Sequence, residues 1–387
     1  MNIALQQPSL QGEKSFHLHF FFWRILGNSP GKDYRELYII YSIFINVIIT
    51  IGYPLHLMIG LFESKTKFDI IKNLAINLTC LACSIKTFAI WLKFKNVRLI
   101  FDIIRKQDKR INKSKDEYEY YKMVVFPSLD KIMLMFKVLF MGAGLTSEVA
   151  VLTNGFLGSW RLMYPAFFPF DPFANQWLYT LAHVYQFFGV SFQILQNLVN
   201  DTFAGMHMAL LSGQVHILSM RVSKIGYDPK KSKEDNNREL LECIQDHKDL
   251  LEYRRKLEEV VSQYMFVQIL FTSINMCVTI VFLILFARDP FTLIYYFIYL
   301  ICMPAEILPA CYYGTIMEFE FQNLSYALFS TNWMDQSIEF KKNLRIFAEQ
   351  ANKPLYLMAW LVRINMTSFL YACKNAYSLF AVVMNIK

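Results

Sequence analysis

Five residues near the C-terminal end carry the chemistry most readily read from spacing. Thr367, Leu370, Tyr371, Lys374 and Ser378 recur at steps of three and four in an otherwise apolar segment, so a helix gathers them on one face. Hydroxyls and an ammonium group on a membrane-length helix are costly against lipid and usually meet a polar cavity. A polar stripe of that kind lines an ion path. A second reading stays open. Lys374 stands 13 residues before the last one, about 20 Å of helix, and its long side chain could lean to the outer headgroups instead.

Other chemistries find no support. Cys80 and Cys83 are spaced like a redox pair, but they sit in an apolar stretch with no second pair, where packing is the plainer role. The seven His are scattered without metal-ligand spacing, and neither a glycine-rich phosphate loop nor a nucleophile elbow is present. No enzyme, no metal site and no cofactor are expected.

The elements that must position these residues follow from composition. Apolar and aromatic residues make up 55% of 387 and charged ones 18%, against about 25% charged in ordinary soluble domains. Residues 37–62, 172–200 and 260–287 are free of charge, each longer than the roughly 20 residues a bilayer needs. Four interrupted candidates join them: 71–92 with Lys72 and Lys86, 132–156 with Lys137 and Glu148, 290–314 with Glu306, and 355–385 with Arg363 and Lys374. The fold class is therefore an all-α membrane protein with seven transmembrane helices.

Charge gives the orientation. Of 39 Lys and Arg, 29 fall in residues 1–36, 93–131, 212–262 and 315–354, and five in the opposite loops and tail. Basic residues favour the cytoplasmic side, so the N-terminus is cytoplasmic and the C-terminus extracellular. The net charge of +8 is mostly this asymmetry, drawn to anionic membrane lipid, and needs no nucleic acid. The chain divides into a cytoplasmic arm (1–36), four spans (37–211) with an outer lid at 157–176, a cytoplasmic loop and amphipathic helix (212–262), spans five and six (263–314), cytoplasmic helices (315–353) and a last span (354–387). The lid crowds three Pro and four aromatics into residues 161–172, which no helix interior tolerates. Along 238–262, Leu240, Ile244, His247 and Leu251 form an apolar stripe that must be covered, by the chain itself or by another subunit.

Four stretches then carry a resemblance: Tyr164-Pro165-Ala166-Phe167-Phe168-Pro169-Phe170-Asp171 in the lid; Leu240 to Leu251; Cys311-Tyr312-Tyr313-Gly314 followed by Tyr326-Ala327 and Trp333; and Lys353-Pro354-Leu355 with the ending Lys374-Asn375-Ala376-Tyr377-Ser378-Leu379-Phe380. In this order and spacing, over nearly the whole chain, the sequence resembles the insect odorant receptors. The resemblance implies an odorant-binding subunit of a heterotetrameric, ligand-gated, non-selective cation channel, assembled with a shared coreceptor in the plasma membrane of olfactory sensory neurons. The chain lacks the coreceptor's greater length and its large cytoplasmic insertion, which marks it as the odorant-tuning subunit.

The resemblance also places the gate on the last span, near Leu370 and Lys374. It makes the cytoplasmic helices the subunit anchor, with Leu240, Ile244, His247, Leu251, Trp333 and Phe347 as interface candidates. A small volatile odorant needs a closed apolar cavity with one or two polar handles. The candidates in the spans are Phe88, Phe136, Phe140, Thr146, Tyr185, Phe188, Phe192, Tyr295, Tyr296 and Tyr299; each could equally be packing or membrane belt. A gustatory-type channel of the same architecture is the alternative. A G-protein-coupled receptor is less suited, needing an outside N-terminus and an Asp/Glu-Arg-Tyr on the third span.

Overall fold

Helix starts are written in the polar residues at their N-termini. Asn175 accepts the Leu178 N–H at 2.9 Å, and Ser337 accepts that of Phe340 at 3.2 Å. Ser232 and Asp235 bond each other's backbone N–H reciprocally. These caps satisfy donors that a helix leaves open at its N-terminus.

The computed structural model describes residues 12–28, 35–63, 66–156, 162–164, 166–286 and 290–385. It is mostly helical. In chain order come α1 (His17–Ile25), α2 (Arg35–Ile45), α3 (Gly52–Glu63), α4 (Lys67–Leu92), α5 (Phe94–Ile111), α6 (Lys115–Tyr120), α7 (Phe126–Phe156), α8 (Gln176–Ser223), α9 (Lys233–Leu285), α10 (Pro290–Phe329), α11 (Ile338–Ala351) and α12 (Met366–Asn385). Wider helical turns at Asn46–Ile51 and Tyr121–Val125 join α2 to α3 and α6 to α7. Among the described residues four helices are long and apolar enough to cross a membrane, at Glu36–Glu63, Asn73–Leu92, Lys233–Leu285 and Tyr296–Phe329. α8 is more polar, with Gln186, Gln193, Gln196, Asn197, Asn200 and Asp201 all buried.

α9 has 53 residues, about 80 Å of continuous helix, more than twice the roughly 30 Å of a hydrocarbon core. The largest core lies where α8, α9 and α10 continue beyond their apolar halves. Phe16, Trp23, Phe101, Tyr121, Phe203, Tyr253, Leu257, Phe321, Phe340 and Phe347 are buried there, so α1, α5 and α11 close around the long helices. A smaller cluster of Tyr53, Leu57, Cys80 and Val190 joins α3, α4 and α8 at the other end, under Met163, Tyr164 and Ala166. Of the expected lid, residues 157–161 and Pro165 lie outside the described residues.

The last span is shorter than its expected 354–387. Residues Met358–Ala359 (β1) pair antiparallel with Val362–Arg363 (β2), so this part of the segment is a hairpin. Trp360 takes a positive φ of 54° at the turn, Met358 and Trp360 donate their N–H groups to Glu258 and Ser262 of α9 at 3.0 and 2.9 Å, and the backbone passes so close to Gly314 that a Cβ there would sit 2.0 Å from the Ile364 oxygen. Arg363, expected inside a span, instead lies over the Tyr356 ring at 4.1 Å, a cation–π contact. Met366 then donates its N–H to Thr315 Oγ1 at 2.9 Å as α12 begins.

Candidate functional site

The lid is bonded to the bundle through backbone. Gln186, wholly buried on α8, accepts the Met163 N–H at 3.1 Å and donates to the Tyr164 oxygen at 2.8 Å. Phe167 donates its N–H to the His56 oxygen at 3.1 Å. Gly60 lets the lid approach, since a Cβ at that position would lie 2.5 Å from Ala166 Cα. Beneath it the His56 imidazole is ringed by Tyr53, Tyr185 and Phe168, with centroids at 5.0, 5.1 and 5.3 Å. Tyr185 donates to the Ile48 oxygen at 3.1 Å.

The pocket candidates divide among several places. Tyr185 belongs to this lid cluster. On the far side of α4, Tyr299 meets Thr79 Oγ1 at 3.0 Å, and Asn275 donates to the same oxygen at 3.0 Å. Tyr296 packs on Phe282, centroids 4.1 Å apart. Phe136 and Phe140 stack on each other at 5.9 Å within the large core. Phe192 is half-buried on α8. Two candidates lie apart from these groups. Phe188 is largely exposed, because its neighbours Gly189 and Val190 take the inward face. Phe88 sits toward the far end of α4 from the lid, beside the exposed Trp91. The side chains of Thr146 and Tyr295 lie outside the described residues.

A second polar centre joins four helices. Lys86 of α4 donates to Asp201 of α8 and to Gln268 of α9, each at 2.5 Å, and Gln268 donates to Glu306 of α10 at 2.8 Å. The Lys86 and Asp201 side chains are 1% exposed. A charge so placed must be paired, because desolvation costs several kcal/mol per ion. Sequence spacing had flagged Lys86 and Glu306 as charges inside spans. It could not pair them, because their partners come from other helices.

On α12 the faces separate cleanly. Ser368, Ala372 and Ala376 are buried, whereas Thr367, Leu370, Tyr371, Lys374 and Ser378 are all exposed. A groove of about 420 Å³ runs between α9 and α12, lined by Phe266, Leu270, Ser273, Asn375 and Ser378 among others.

The interface candidates divide in the same way. Leu240, His247 and Phe347 are buried in the chain's own core, with Ile244 and Leu251 packed against it. The apolar stripe is covered by α11 and α10: His247 lies 5.1 Å from the Phe347 ring and 6.5 Å from Phe321. Burial lowers the His247 imidazole to a pKa of about 4, so it is neutral near pH 7. Trp333 does remain exposed, together with Tyr326, Phe329, Met334 and Ile338, the last at 88%. On α9, Asp246 accepts from both Arg110, at 2.8 Å, and Arg221, and Arg221 also holds Glu117 at 2.5 Å.

The family model described as 7tm Odorant receptor matches residues 68–377. The chain belongs to the odorant receptor family. Odorant receptor 59a of Drosophila melanogaster is 33% identical, covering 96% of this chain and 97% of that protein. Odorant receptor 33b of the same species is 30% identical over 99% and 100%. The solved olfactory receptor OR5 from Machilis hrabei shares the fold, with a TM-score of 0.73 at 16% identity, covering 97% of this chain and 98% of that one. Its complex with eugenol gives 0.72 at 15% identity, with coverage of 97% and 99%. In this odorant receptor, sequence reasoning missed His56, Asn73, Asn77 and Gln186. The available signal was polarity within apolar runs, which was weighed for charged and hydroxyl-bearing residues and not for histidine or the amides.

Proposed function

We infer that this receptor is the odorant-tuning subunit of a heteromeric ligand-gated cation channel, assembled with coreceptor subunits as a heterotetramer in the plasma membrane of an olfactory sensory neuron. The seven spans are α2–α3 taken together, α4, α7, the first part of α8, the last part of α9, the first part of α10, and α12. Their orientation follows the 29 basic residues on the cytoplasmic side.

The observation that carries this reading is the face of α12. In a lone subunit Thr367, Tyr371, Lys374 and Ser378 are exposed, and a membrane helix does not offer such a stripe to lipid without cost. Turned toward a shared axis, the same stripe meets water, while Leu370 narrows the path. An ammonium near that path disfavours cations, so conduction is dominated by the coreceptor subunits. A small volatile odorant binds in the outer half of the bundle, among α4, α8, α10 and the lid. It opens the pore through a higher affinity for the open arrangement.

The test is current recording across an odorant panel, from cells expressing the chain with and without a coreceptor. Odorant-evoked currents are expected only from the pair. Equal currents from this chain alone overturn the subunit assignment.

A further inference from the structure

Three polar side chains at the lid end of the bundle have atoms with no hydrogen-bond partner. Both nitrogens of His56, both amide atoms of Asn73 and the Nδ2 of Asn77 are buried and unpaired. His56 is 8% exposed, Asn73 0% and Asn77 6%. Native proteins leave few buried polar atoms unsatisfied, and each needs an explanation.

Their placement is shared. α3 ends at Glu63 and α4 begins at Lys67, so the two run antiparallel. Ser84 of α4 donates to the Thr50 oxygen at 2.5 Å, which sets the register. Counting back from that bond puts Asn77 level with Leu57, next to His56, and Asn73 one turn nearer the lid. Asn73, Asn77, Cys80 and Ser84 follow at steps of three and four, a single helical face. Cys80 on that face packs with Tyr53, Leu57 and Val190 under Met163, Tyr164 and Ala166. Around His56 the other groups are the rings of Tyr53, Tyr185 and Phe168.

We propose that His56, Asn73 and Asn77 form a hydrogen-bonding subsite beneath the lid that selects oxygenated odorants, hydroxyl-bearing ones above all. The unpaired atoms offer donors (the two amide nitrogens and one imidazole nitrogen) and acceptors (the Asn73 oxygen and the other imidazole nitrogen). An alcohol satisfies both kinds, a ketone or ester only the donors, and a hydrocarbon neither. The aromatic rings hold the carbon skeleton. A site with unpaired polar groups discriminates strongly against a ligand that leaves them unpaired. This subsite rests on the odorant-tuning reading above and gives that reading its ligand class.

The experiment co-expresses the full chain with a coreceptor and records currents to 1-alkanols, 2-alkanones and n-alkanes of matched carbon number. The native receptor is expected to respond in that order. Asn73→Leu and Asn77→Leu, close in volume, are expected to raise the half-maximal concentration for alkanols about tenfold each, the loss of one hydrogen bond, and to leave or improve that for alkanes. Surface labelling checks that the variants reach the membrane; if they do not, the order in the native receptor decides. Equal native sensitivity to alkanols and alkanes overturns the subsite, as do equal shifts for both classes in the variants or a panel in which only alkanes evoke currents. Failure of the odorant-tuning reading looks different: no current to any odorant while the coreceptor still responds to its own agonist.

Discussion

Replacing Lys86 by methionine preserves most of the side chain's length and removes its charge. The ammonium lies 2.5 Å from both Asp201 and Gln268, with Lys86 and Asp201 each 1% exposed. The second oxygen of Asp201 has no partner even in the native chain, so no neighbour stands ready to take the cation's place. Gln268 is held on its other side by Glu306, which leaves two carboxylates in one buried patch. Removing one member of such a pair typically costs about 3–5 kcal/mol, a large part of the about 5–15 kcal/mol that separates folded from unfolded proteins. Lys86→Met is therefore expected to lower surface expression severely and to lower the melting temperature of the detergent-solubilised receptor, followed by size-exclusion chromatography after heating. Lys86→Met combined with Asp201→Leu leaves no lone charge at that contact and should recover most of the loss. A single variant that reaches the surface and melts like the native chain refutes the reasoning, as does a double variant no better than the single.

Other consequences are as specific. Gly60→Val places atoms where the Ala166 backbone runs, so odorant sensitivity should fall at least several-fold with surface expression retained; unchanged dose–response curves count against the lid contact. Asp108 accepts from the Gly12 N–H at 2.7 Å and from Tyr121 at 3.1 Å, and burial raises its pKa from 3.8 to about 6. Its folded pKa lies above the unfolded one, so its stabilising contribution is full below about pH 4 and is lost as pH rises through about 6, a difference of about 3 kcal/mol. Asp108→Asn should flatten the melting temperature between pH 4.5 and 7.5 relative to native, and parallel profiles would falsify this. Lys374→Ala should shift the permeation ratios of the assembled channel, whereas identical ratios and block place that ammonium away from the ion path. Ile338→Asp, at a side chain 88% exposed, should reduce co-purification with the coreceptor and leave the chain's own melting unchanged; intact co-purification excludes that surface from the interface.

Helices and their faces were legible wherever periodicity was strong. The stripe Leu240, Ile244, His247, Leu251 predicts a helix over 238–262, and α9 runs through it; what covers the stripe was not legible, because α11 returns from about a hundred residues away. The segment after Pro354 misled for the opposite reason. Its apolar residues read as a span, but the hairpin is held by Glu258 and Ser262 of α9, which accept the Met358 and Trp360 N–H groups, contacts that no local window contains. For the site, charges inside spans pointed to Lys86 and Lys374. The neutral amides did not stand out, because an asparagine in an apolar run looks tolerable until its lack of a partner is visible.

The length of α9 has a mechanical consequence. One unbroken rod meets α4 and α12 along its apolar end and α5, α11 and the hairpin along its polar end. A tilt of one degree at one end of an ~80 Å helix moves the other by about 1.4 Å, comparable to helix shifts that accompany switching at subunit interfaces. The proposed odorant site, the proposed conducting face and the bundle at the polar end of α9 thus share a lever. Linkage is reciprocal, so a molecule that grips the polar-end bundle more tightly in one state of the receptor changes the apparent sensitivity to scent by the same factor that scent changes its grip.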